Sequence, residues 1–230
     1  MKWSQSEIEM LSPILDRIRK DLELSENKKI LVLCSAGGEV VLWLANKLKL
    51  EKVIGLELDQ RLIESASLKT REQRLENVVE FFQADRTRIP FPDNTYDALV
   101  SEFIVFPTPV PTEIGQPEMA RVLKPGGIMV LTDVIVTKSI PQDVREEFQA
   151  IGLDYLCEGT QDDFHCWMEA AGLLNIEVVD LTPTVHRVWE QKRRSVPRSE
   201  VCKGYDYLLD NPDFKLGEAI FYIYICGRKP

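Results

Sequence analysis

Apolar runs alternate with stretches of helical periodicity along most of this chain, which predicts an α/β protein. Short, nearly continuous apolar segments occur at 30–33, 52–59, 78–83, 97–104, 128–133, 175–181 and 219–227. Between most of them, apolar residues return every three or four positions, the spacing of an amphipathic helix that packs on a sheet. Strands that are apolar throughout favour a parallel sheet covered by helices on both faces.

The stretch at 28–46 is the most informative segment for function. The apolar strand Ile30–Leu33 ends at a cluster of small residues, Cys34–Gly38, and a helical pattern begins at once with Val40 and Leu44. A turn of small side chains lets a ligand approach the backbone closely. The free N–H groups of the following helix N-terminus point towards such a ligand. The segment therefore predicts a ligand-binding strand–turn–helix unit.

Two acidic residues follow the next two predicted strands. Glu57 lies 19 residues after Gly38. An acid at this distance, at the end of the second strand, is well placed to accept the ribose hydroxyls of a nucleoside. Asp85 follows the third strand and is placed to accept a hydrogen bond from an exocyclic amine such as adenine N6. The simpler roles are an exposed strand-end glutamate and a turn-forming aspartate.

Two segments outside the core pattern are candidates for covering a ligand. Residues 1–27 hold a helical segment, interrupted by Pro13, that lies either over the pocket or along the sheet. Residues 182–218 are long for a loop in a compact domain, with helical patterns at 185–191 and 200–209. We expect them to form a lid within a single domain, 1–230.

Part of this insertion is basic. Residues 186–203 carry six Lys or Arg against two Glu, a local balance of +4 in a chain of −9. Either they anchor an anionic substrate or they form a solvated helix face. Residues 105–115 contain three alternating prolines and predict a loop, followed by short helix Pro117–Leu123. Further helices are predicted at Ser139–Tyr155 and Gln161–Ala171.

Composition narrows the class of protein. The 230 residues are 44% hydrophobic, which suits one globular domain, and the net charge of −9 argues against a broad nucleic-acid footprint. The five cysteines form no C-x-x-C pair, and no apolar run approaches the roughly 18 residues that a membrane span needs. The first residues lack the apolar core of a signal peptide. We therefore expect a cytoplasmic protein with reduced thiols, no metal site, no membrane span and a small-molecule substrate.

The order of these segments resembles a known family. The small-residue turn, the acid after the second strand and Ala84-Asp85 are followed by Pro-Phe-Pro-Asp-Asn-Thr-Tyr-Asp at 90–97 and by Arg-Val-Leu-Lys-Pro-Gly-Gly at 121–127. This series is similar to the class I S-adenosylmethionine-dependent methyltransferases, type 11, which include the ubiquinone/menaquinone methyltransferases. The resemblance implies a Rossmann-like seven-stranded sheet whose last strand is antiparallel beside the fifth. It also implies methyl transfer from S-adenosylmethionine to a small molecule, with S-adenosylhomocysteine as product.

The resemblance implies a role for each residue of the cofactor site. Glu57 would hold the ribose hydroxyls, and Leu58 would pack on the adenine. Asp85 would bind adenine N6, with the Arg86 amide nearby. The carbonyls of Cys34 and Ser101 would hold the methionine amino group. Ala36 and Gly38 would complete the turn.

The turn departs from the family motif Asp-x-Gly-x-Gly-x-Gly. The corresponding residues are Val32, Cys34, Ala36 and Gly38. Val32 removes an acid that orders the loop, and Cys34 adds a side chain near the methionine end. These differences predict weaker cofactor binding or a shifted turn and, in the extreme, a fold that binds without catalysing.

Methyl transfer from a sulfonium depends mainly on alignment of the reactants, so the pattern predicts no fixed catalytic residue. His186, His165 and Glu102 are candidates for a general base. One alternative is arsenite methylation through Cys157 and Cys202, since thiolates suit metalloids. Isolated cysteines are more often buried small hydrophobes. The other is a non-catalytic module that binds the cofactor or a partner protein.

Overall fold

The structure is a computed structural model that describes residues 12–22, 27–33, 35, 37–85, 88–101, 112–150, 157–195 and 203–230. The strands are β1 Lys29–Leu33, β2 Lys52–Glu57, β3 Val79–Gln83, β4 Tyr96–Ser101, β5 Leu123–Val136, β6 Cys157–Glu158, β7 Leu174–Asp180 and β8 Ile220–Arg228. The helices are α1 Ser12–Leu22, α2 Glu39–Lys47, α3 Gln60–Glu72, α4 Thr112–Val122, α5 Gln142–Ala150, α6 Gln161–Ala170, α7 Thr182–Ser195 and α8 Lys203–Asp210.

The strands form one mixed sheet in the order β3-β2-β1-β4-β5-β8-β7, and the two-residue β6 pairs beside the end of β5. Strands β1 to β5 are parallel, whereas β8 runs antiparallel between β5 and β7. The predicted Rossmann-like fold of seven strands, with the last one antiparallel beside the fifth, is confirmed. The C-terminal ends of β1, β2, β3 and β4 lie along one side of the sheet, which we call the carboxyl edge.

Both faces of the central strands are buried, as their apolar sequences predict, whereas the edge strands β3 and β7 include exposed residues. In β1, Ile30 and Val32 belong to one apolar layer, while Leu31 and Leu33 belong to the other. The first layer includes side chains of α1, α2, α5, α7 and α8, and the second includes side chains of α4 and α6. Because the central strands are covered on both faces, their side chains are mostly apolar, and Thr132 and Asp133 of β5 are buried polar exceptions.

The described part of the N-terminal segment packs on the sheet. Leu15, Ile18 and Leu22 of α1 are buried in the first apolar layer. Arg17 donates hydrogen bonds to Asp21 at 2.5 Å and to Glu177 of β7 at 2.8 Å. Of the helices described, none is long and apolar enough to cross a membrane.

The sequence-based boundaries of one helix and one strand were wrong. The proline-rich loop predicted at 105–115 gives way to helix at Thr112, and α4 then contains Pro117. Residues 105–111 lie outside the described part of the chain. Pro117 removes one backbone hydrogen bond, but Met119 and Val122 bury their side chains, and this burial outweighs the loss.

The fifth strand is also longer than predicted. Tyr96 pairs with Leu123 and Ala98 with Ile128, so the Lys-Pro-Gly-Gly turn becomes an irregularity within β5. Gly126 adopts a φ of 77°, a conformation that suits glycine.

A carboxylate holds the opposite end of the sheet together. Asp97, at the start of β4, accepts hydrogen bonds from the Lys29 backbone N–H at 3.0 Å, from Lys124 at 2.9 Å and from Lys28 at 3.2 Å. Its side chain is 11% exposed. Burial alone would raise the pKa of Asp97, but the three donors outweigh it and lower the pKa below its usual value. The carboxylate therefore ties β1, β4 and β5 together in its ionised form.

We expect Asp97→Asn to lower the free energy of unfolding by about 2 kcal/mol at pH 7, the scale of hydrogen bonds to a charged group. Because the pKa of Asp97 is depressed in the folded state, this contribution is present above the pKa of the unfolded chain. It is lost as the pH falls through the lower, folded-state pKa. Urea unfolding at pH 7 and at pH 3 to 4 measures both effects.

The matched control is Asp93→Asn, because Asp93 is 68% exposed in its ion pair with Arg121 and its loss should cost less than about 1 kcal/mol. An equal loss of unfolding free energy in both variants would contradict the stabilising role of Asp97.

Candidate cofactor site

Three neighbouring strands bring the predicted ligands to the carboxyl edge. Leu33, the last residue of β1, pairs with Leu56 on one side and with Ser101 on the other. Glu57 is the next residue of β2 and pairs with Gln83 at the end of β3. Adjacent strands lie about 4.8 Å apart, so Glu57 and Ser101 flank the turn that follows β1. The structure thus brings these predicted residues together around one turn.

Backbone hydrogen bonds fix the described part of this turn. The Ser35 N–H donates to the Leu56 carbonyl at 2.9 Å, and the Gly38 N–H donates back to the Ser35 carbonyl at 2.7 Å. Gly38 has a φ of 80° and is the N-cap of α2. Cys34 and Ala36, which are predicted cofactor residues, lie outside the described residues. The described geometry is a tight turn that leads directly into a helix N-terminus.

Close packing under the turn explains its glycine. A Cβ on Gly38 would lie 2.7 Å from the Phe81 ring and 2.9 Å from the Ala66 side chain. A Cβ on Gly55 would lie 2.4 Å from the same ring and 2.7 Å from the Ser35 hydroxyl. Phe81 thus occupies the space that side chains at both glycines would fill. We call Gly38, Gly55, Ala66 and Phe81 the turn floor.

Glu57 is held in place at the end of β2. Its Oε1 accepts the Leu58 N–H at 2.8 Å and the Asp59 N–H at 3.1 Å. An ionised carboxylate has acceptor sites for about four hydrogen bonds, so this arrangement is compatible with further donors such as ribose hydroxyls. Asp59 accepts the Arg61 N–H at 2.9 Å and caps α3. Leu58, between them, is an exposed large apolar side chain, at 61% exposure.

The end of β3 contributes the predicted adenine-side residue. Asp85 is exposed, and its carbonyl accepts the Arg88 N–H at 3.0 Å in a tight turn. Gln83 donates to the Leu58 carbonyl at 2.9 Å and so links β3 to the segment after β2. Arg86 lies outside the described residues. Because β3 is adjacent to β2, Asp85 follows the strand that neighbours Glu57 and Leu58. Asp85 itself begins a tight turn.

The proposed general bases fall in different places. His186 is half-buried on α7. His165 lies on α6 with its Nδ1 3.8 Å from Glu169, as in a surface helix pair. Glu102 lies outside the described residues. Of the three, His186 belongs to a helix that begins just after the C-terminal end of β7, so it remains the better candidate.

Helices α5, α7 and α8 contribute to one apolar cluster. Phe148 packs edge-on against Tyr207 and Phe214, with ring centroids 5.2 and 5.8 Å apart. The Tyr207 hydroxyl donates to Glu147. Burial, followed by this carboxylate, raises the pKa of Tyr207 to about 12. Val185 of α7 is buried in the same apolar layer. We call these three helices the cap.

Ion pairs use part of the basic segment predicted at 186–203. Arg193 pairs with Glu190 at 2.5 Å and with Asp210 at 2.7 Å, and Arg194 pairs with Glu190 at 3.2 Å. These contacts favour the solvated helix face over an anchor for an anionic substrate. Cys157 pairs with Ile135 through its backbone, while its side chain and all of Cys202 lie outside the described residues.

Sequence reasoning missed one contact with the turn. The Lys69 ammonium, on α3, donates to the Gly37 carbonyl at 3.0 Å and to Glu39 at 2.5 Å. Lys69 is 30 residues from Glu39 and has the spacing of an ordinary helix-surface residue. No local pattern in the sequence would have indicated this contact.

The packing of the turn floor gives a prediction for Gly55→Ala. The added methyl group must displace the Phe81 ring, which should cost about 1–3 kcal/mol of the free energy of unfolding. In a Phe81→Ala background only the close contact with the Ser35 hydroxyl remains, so the same change should cost less. Urea unfolding of the four variants measures this coupling. Equal costs in both backgrounds would contradict the steric account.

Comparisons with known proteins agree with this geometry. A sequence profile described as a methyltransferase domain matches residues 31–131. The chain is 27% identical over 197 residues to the methyltransferase GfsG of Streptomyces halstedii, covering 84% of this chain and 66% of that protein. It is 26% identical over 178 residues to an arsenite methyltransferase of Halobacterium salinarum, covering 77% of this chain and 40% of that protein. The chain thus spans less than two thirds of the length of either relative.

A solved structure shares the fold at low sequence identity. Geranyl diphosphate C-methyltransferase from Streptomyces coelicolor, in complex with Mg²⁺, geranyl diphosphate and S-adenosylhomocysteine, superposes with a TM-score of 0.78 and 16% identity. The alignment covers 95% of this chain and 77% of that one. At this identity the match supports the fold. Together with the profile match and the arrangement of the carboxyl edge, it confirms the family predicted from the sequence. Residues 31–131 thus match a methyltransferase domain, as the resemblance to the class I S-adenosylmethionine-dependent methyltransferases implies.

Proposed function

We propose that this protein binds S-adenosylmethionine at the carboxyl edge and transfers its methyl group to a small-molecule acceptor. The observation that carries this proposal is the convergence of Gly38, Glu57, Asp85 and Ser101 at the ends of four adjacent strands. The methyltransferase-domain match over residues 31–131 covers all four positions. The four side chains or backbone groups supply contacts for every part of the cofactor.

Each part of the cofactor has a matching group. The Glu57 carboxylate would accept the ribose hydroxyls, and exposed Leu58 would cover one face of the adenine. Asp85 and the Arg86 amide would meet the edge of the adenine. The turn, with Cys34 and Ala36, and the Ser101 carbonyl would hold the methionine end. Ser101 is the last residue of β4 and is buried, at 2% exposure.

The chemistry requires alignment more than covalent help. Bound S-adenosylmethionine would supply a methyl group on a sulfonium, and the electron pair of the broken carbon–sulfur bond would leave on sulfur with S-adenosylhomocysteine. Holding both reactants in line supplies up to about 7–11 kcal/mol of the barrier. An acceptor with an acidic proton gives that proton to a base or to water, and half-buried His186 is the candidate among the described residues.

The cap and the N-terminal segment would enclose the acceptor. The insertion at 182–218 begins directly after β7 and contributes α7 and α8, whose aromatic cluster joins α5. Residues 1–27 hold α1, which packs on the sheet. We assign all of 1–230 to one methyltransferase domain, with the cap as its lid. A cytoplasmic location remains a prediction.

Arsenite methylation is the second candidate. Its support is the 26% identity to the arsenite methyltransferase of Halobacterium salinarum. Cys157 and Cys202 would be the arsenite ligands in this case. The third reading, a module that binds the cofactor without catalysing, rests on the Cys34 and Ala36 departures from the motif.

Glu57→Gln tests the cofactor assignment. The variant keeps one side-chain oxygen for the Leu58 and Asp59 amides but loses the charge that the ribose hydroxyls would meet. We expect S-adenosylhomocysteine affinity to fall about 10- to 100-fold, since hydrogen bonds to a charged group contribute about 1.5–3 kcal/mol. Calorimetric titration measures the affinity.

Glu51→Gln is the matched control. Glu51 immediately precedes β2, at the other end of the same strand, and its side chain is 52% exposed. Its substitution should leave the affinity unchanged. Wild-type-like binding by Glu57→Gln would refute the ribose assignment, and failure of the wild-type chain to bind at millimolar concentration would refute the proposed function.

The acceptor is identified by activity. The chain would be incubated with methyl-labelled S-adenosylmethionine and pools of small metabolites, with arsenite and a thiol as a separate reaction. Label transfer to an organic metabolite supports the first candidate. Transfer to arsenite that is lost in Cys157→Ser supports the second, and cofactor binding without transfer to any acceptor supports the third.

A further inference from the structure

We propose that Lys69 is a positioning residue for the cofactor turn: by holding the Gly37 carbonyl it fixes the backbone that receives the methionine end. The expected effect on cofactor binding rests on the proposed function, whereas the contacts of Lys69 with the turn do not. The Lys69 ammonium lies 3.0 Å from the Gly37 carbonyl and 2.5 Å from Glu39. Gly37 and Glu39 flank Gly38, so one ammonium holds both sides of the N-cap of α2.

Backbone hydrogen bonds order part of the turn, but two side chains that could order it further do not do so. Val32, the strand residue where the motif has an acid, is fully buried and apolar and so offers no side-chain acceptor to the turn. The Ser35 hydroxyl is buried and makes no hydrogen bond to any residue that the structure describes. The Lys69 side chain therefore supplies a constraint that these two residues do not.

The partners of Lys69 are partly shielded from water. The Glu39 side chain is 16% exposed and that of Lys69 is 37% exposed. The Gly37 carbonyl belongs to a residue that is itself buried. A hydrogen bond from an ammonium to such a group is stronger than one on an open surface.

The helix that carries Lys69 is itself fixed against the turn. Asp59, two residues after Glu57, caps its start, and Ala66 forms part of the turn floor. Lys69 follows Ala66 by three residues, so both side chains lie on the same side of α3. Helix α3 thus extends from the predicted ribose ligand to the turn at the methionine end.

Lys69 also neutralises a charge at a sensitive place. Glu39 lies in the first turn of α2, where the helix N-terminus favours a negative group. An unpaired carboxylate there would repel the carboxylate of a bound methionine moiety. Two effects of Lys69 are therefore possible, fixing the backbone and compensating Glu39. We assign the larger effect to the bond with Gly37.

The test compares Lys69→Met with Lys69→Arg, Glu39→Gln and the double variant. Lys69→Met should weaken S-adenosylhomocysteine binding about tenfold, the scale of one charged hydrogen bond, while Lys69→Arg retains most of the affinity. Glu39→Gln leaves the donor to Gly37 in place and should bind within about twofold of wild type. Lys69→Met/Glu39→Gln should bind as weakly as Lys69→Met. Recovery of wild-type affinity in the double variant would show charge compensation and overturn the positioning role.

A second measurement does not depend on the cofactor. Hydrogen exchange of the Gly38 amide, which donates to the Ser35 carbonyl, reports the order of the turn in the ligand-free chain. We expect exchange to be about tenfold faster in Lys69→Met and unchanged in Glu39→Gln. Lys52→Met is the control, because Lys52, at the far end of β2, forms an ion pair with Glu80 of β3 at 3.3 Å and does not contact the described part of the turn.

The two proposals fail in different ways. If wild-type protein does not bind the cofactor, the proposed function fails while hydrogen exchange still tests the turn. If wild type binds and Lys69→Met matches it in both affinity and Gly38 exchange, the positioning role is wrong and the proposed function stands.

Discussion

Burial of both faces of the sheet is the constraint on which the remainder of this structure depends. The side chains of β1 enter two apolar layers in strict alternation, so neither face of this strand can carry a polar group without cost. The polar groups around β1 therefore lie at the strand ends. At one end Asp97 and its lysines join the strands, and at the other Glu57 and Ser101 surround a turn. The Asp97 interactions and the proposed cofactor ligands thus lie at opposite edges of the sheet.

Sequence patterns predicted the parts of the site that depend on local order. The run Ile30–Leu33 followed by small residues indicated the strand and the turn, and the position of Glu57 followed from the length of one strand–turn–helix unit. Parallel pairing then makes Glu57 and Ser101 neighbours of the turn without any further information. This is why the fold class and the strand-end residues were accessible from the sequence.

Features that depend on tertiary contact were not accessible. Pro117 argued against a helix that begins at Thr112, but burial of neighbouring side chains outweighs the cost of this proline. Lys69 has the sequence pattern of an ordinary lysine on a helix surface. The need for glycine at Gly55 arises from Phe81, its partner on the neighbouring strand. These features depend on contacts with residues that are distant in sequence, and the hydrophobic periodicity does not reveal such contacts.

Helix α3 gives the site a mechanical property. Its first turn is capped by Asp59, next to the proposed nucleoside ligand, and its later turns hold Ala66 and Lys69 against the turn at the opposite half of the cofactor. A rigid rod that spans both halves makes their positions interdependent. Fragments of the cofactor would therefore not bind independently, because whichever half binds first would pre-order the other. Affinity at this site would be a property of the whole ligand, and an analogue that alters one half would be felt at the other.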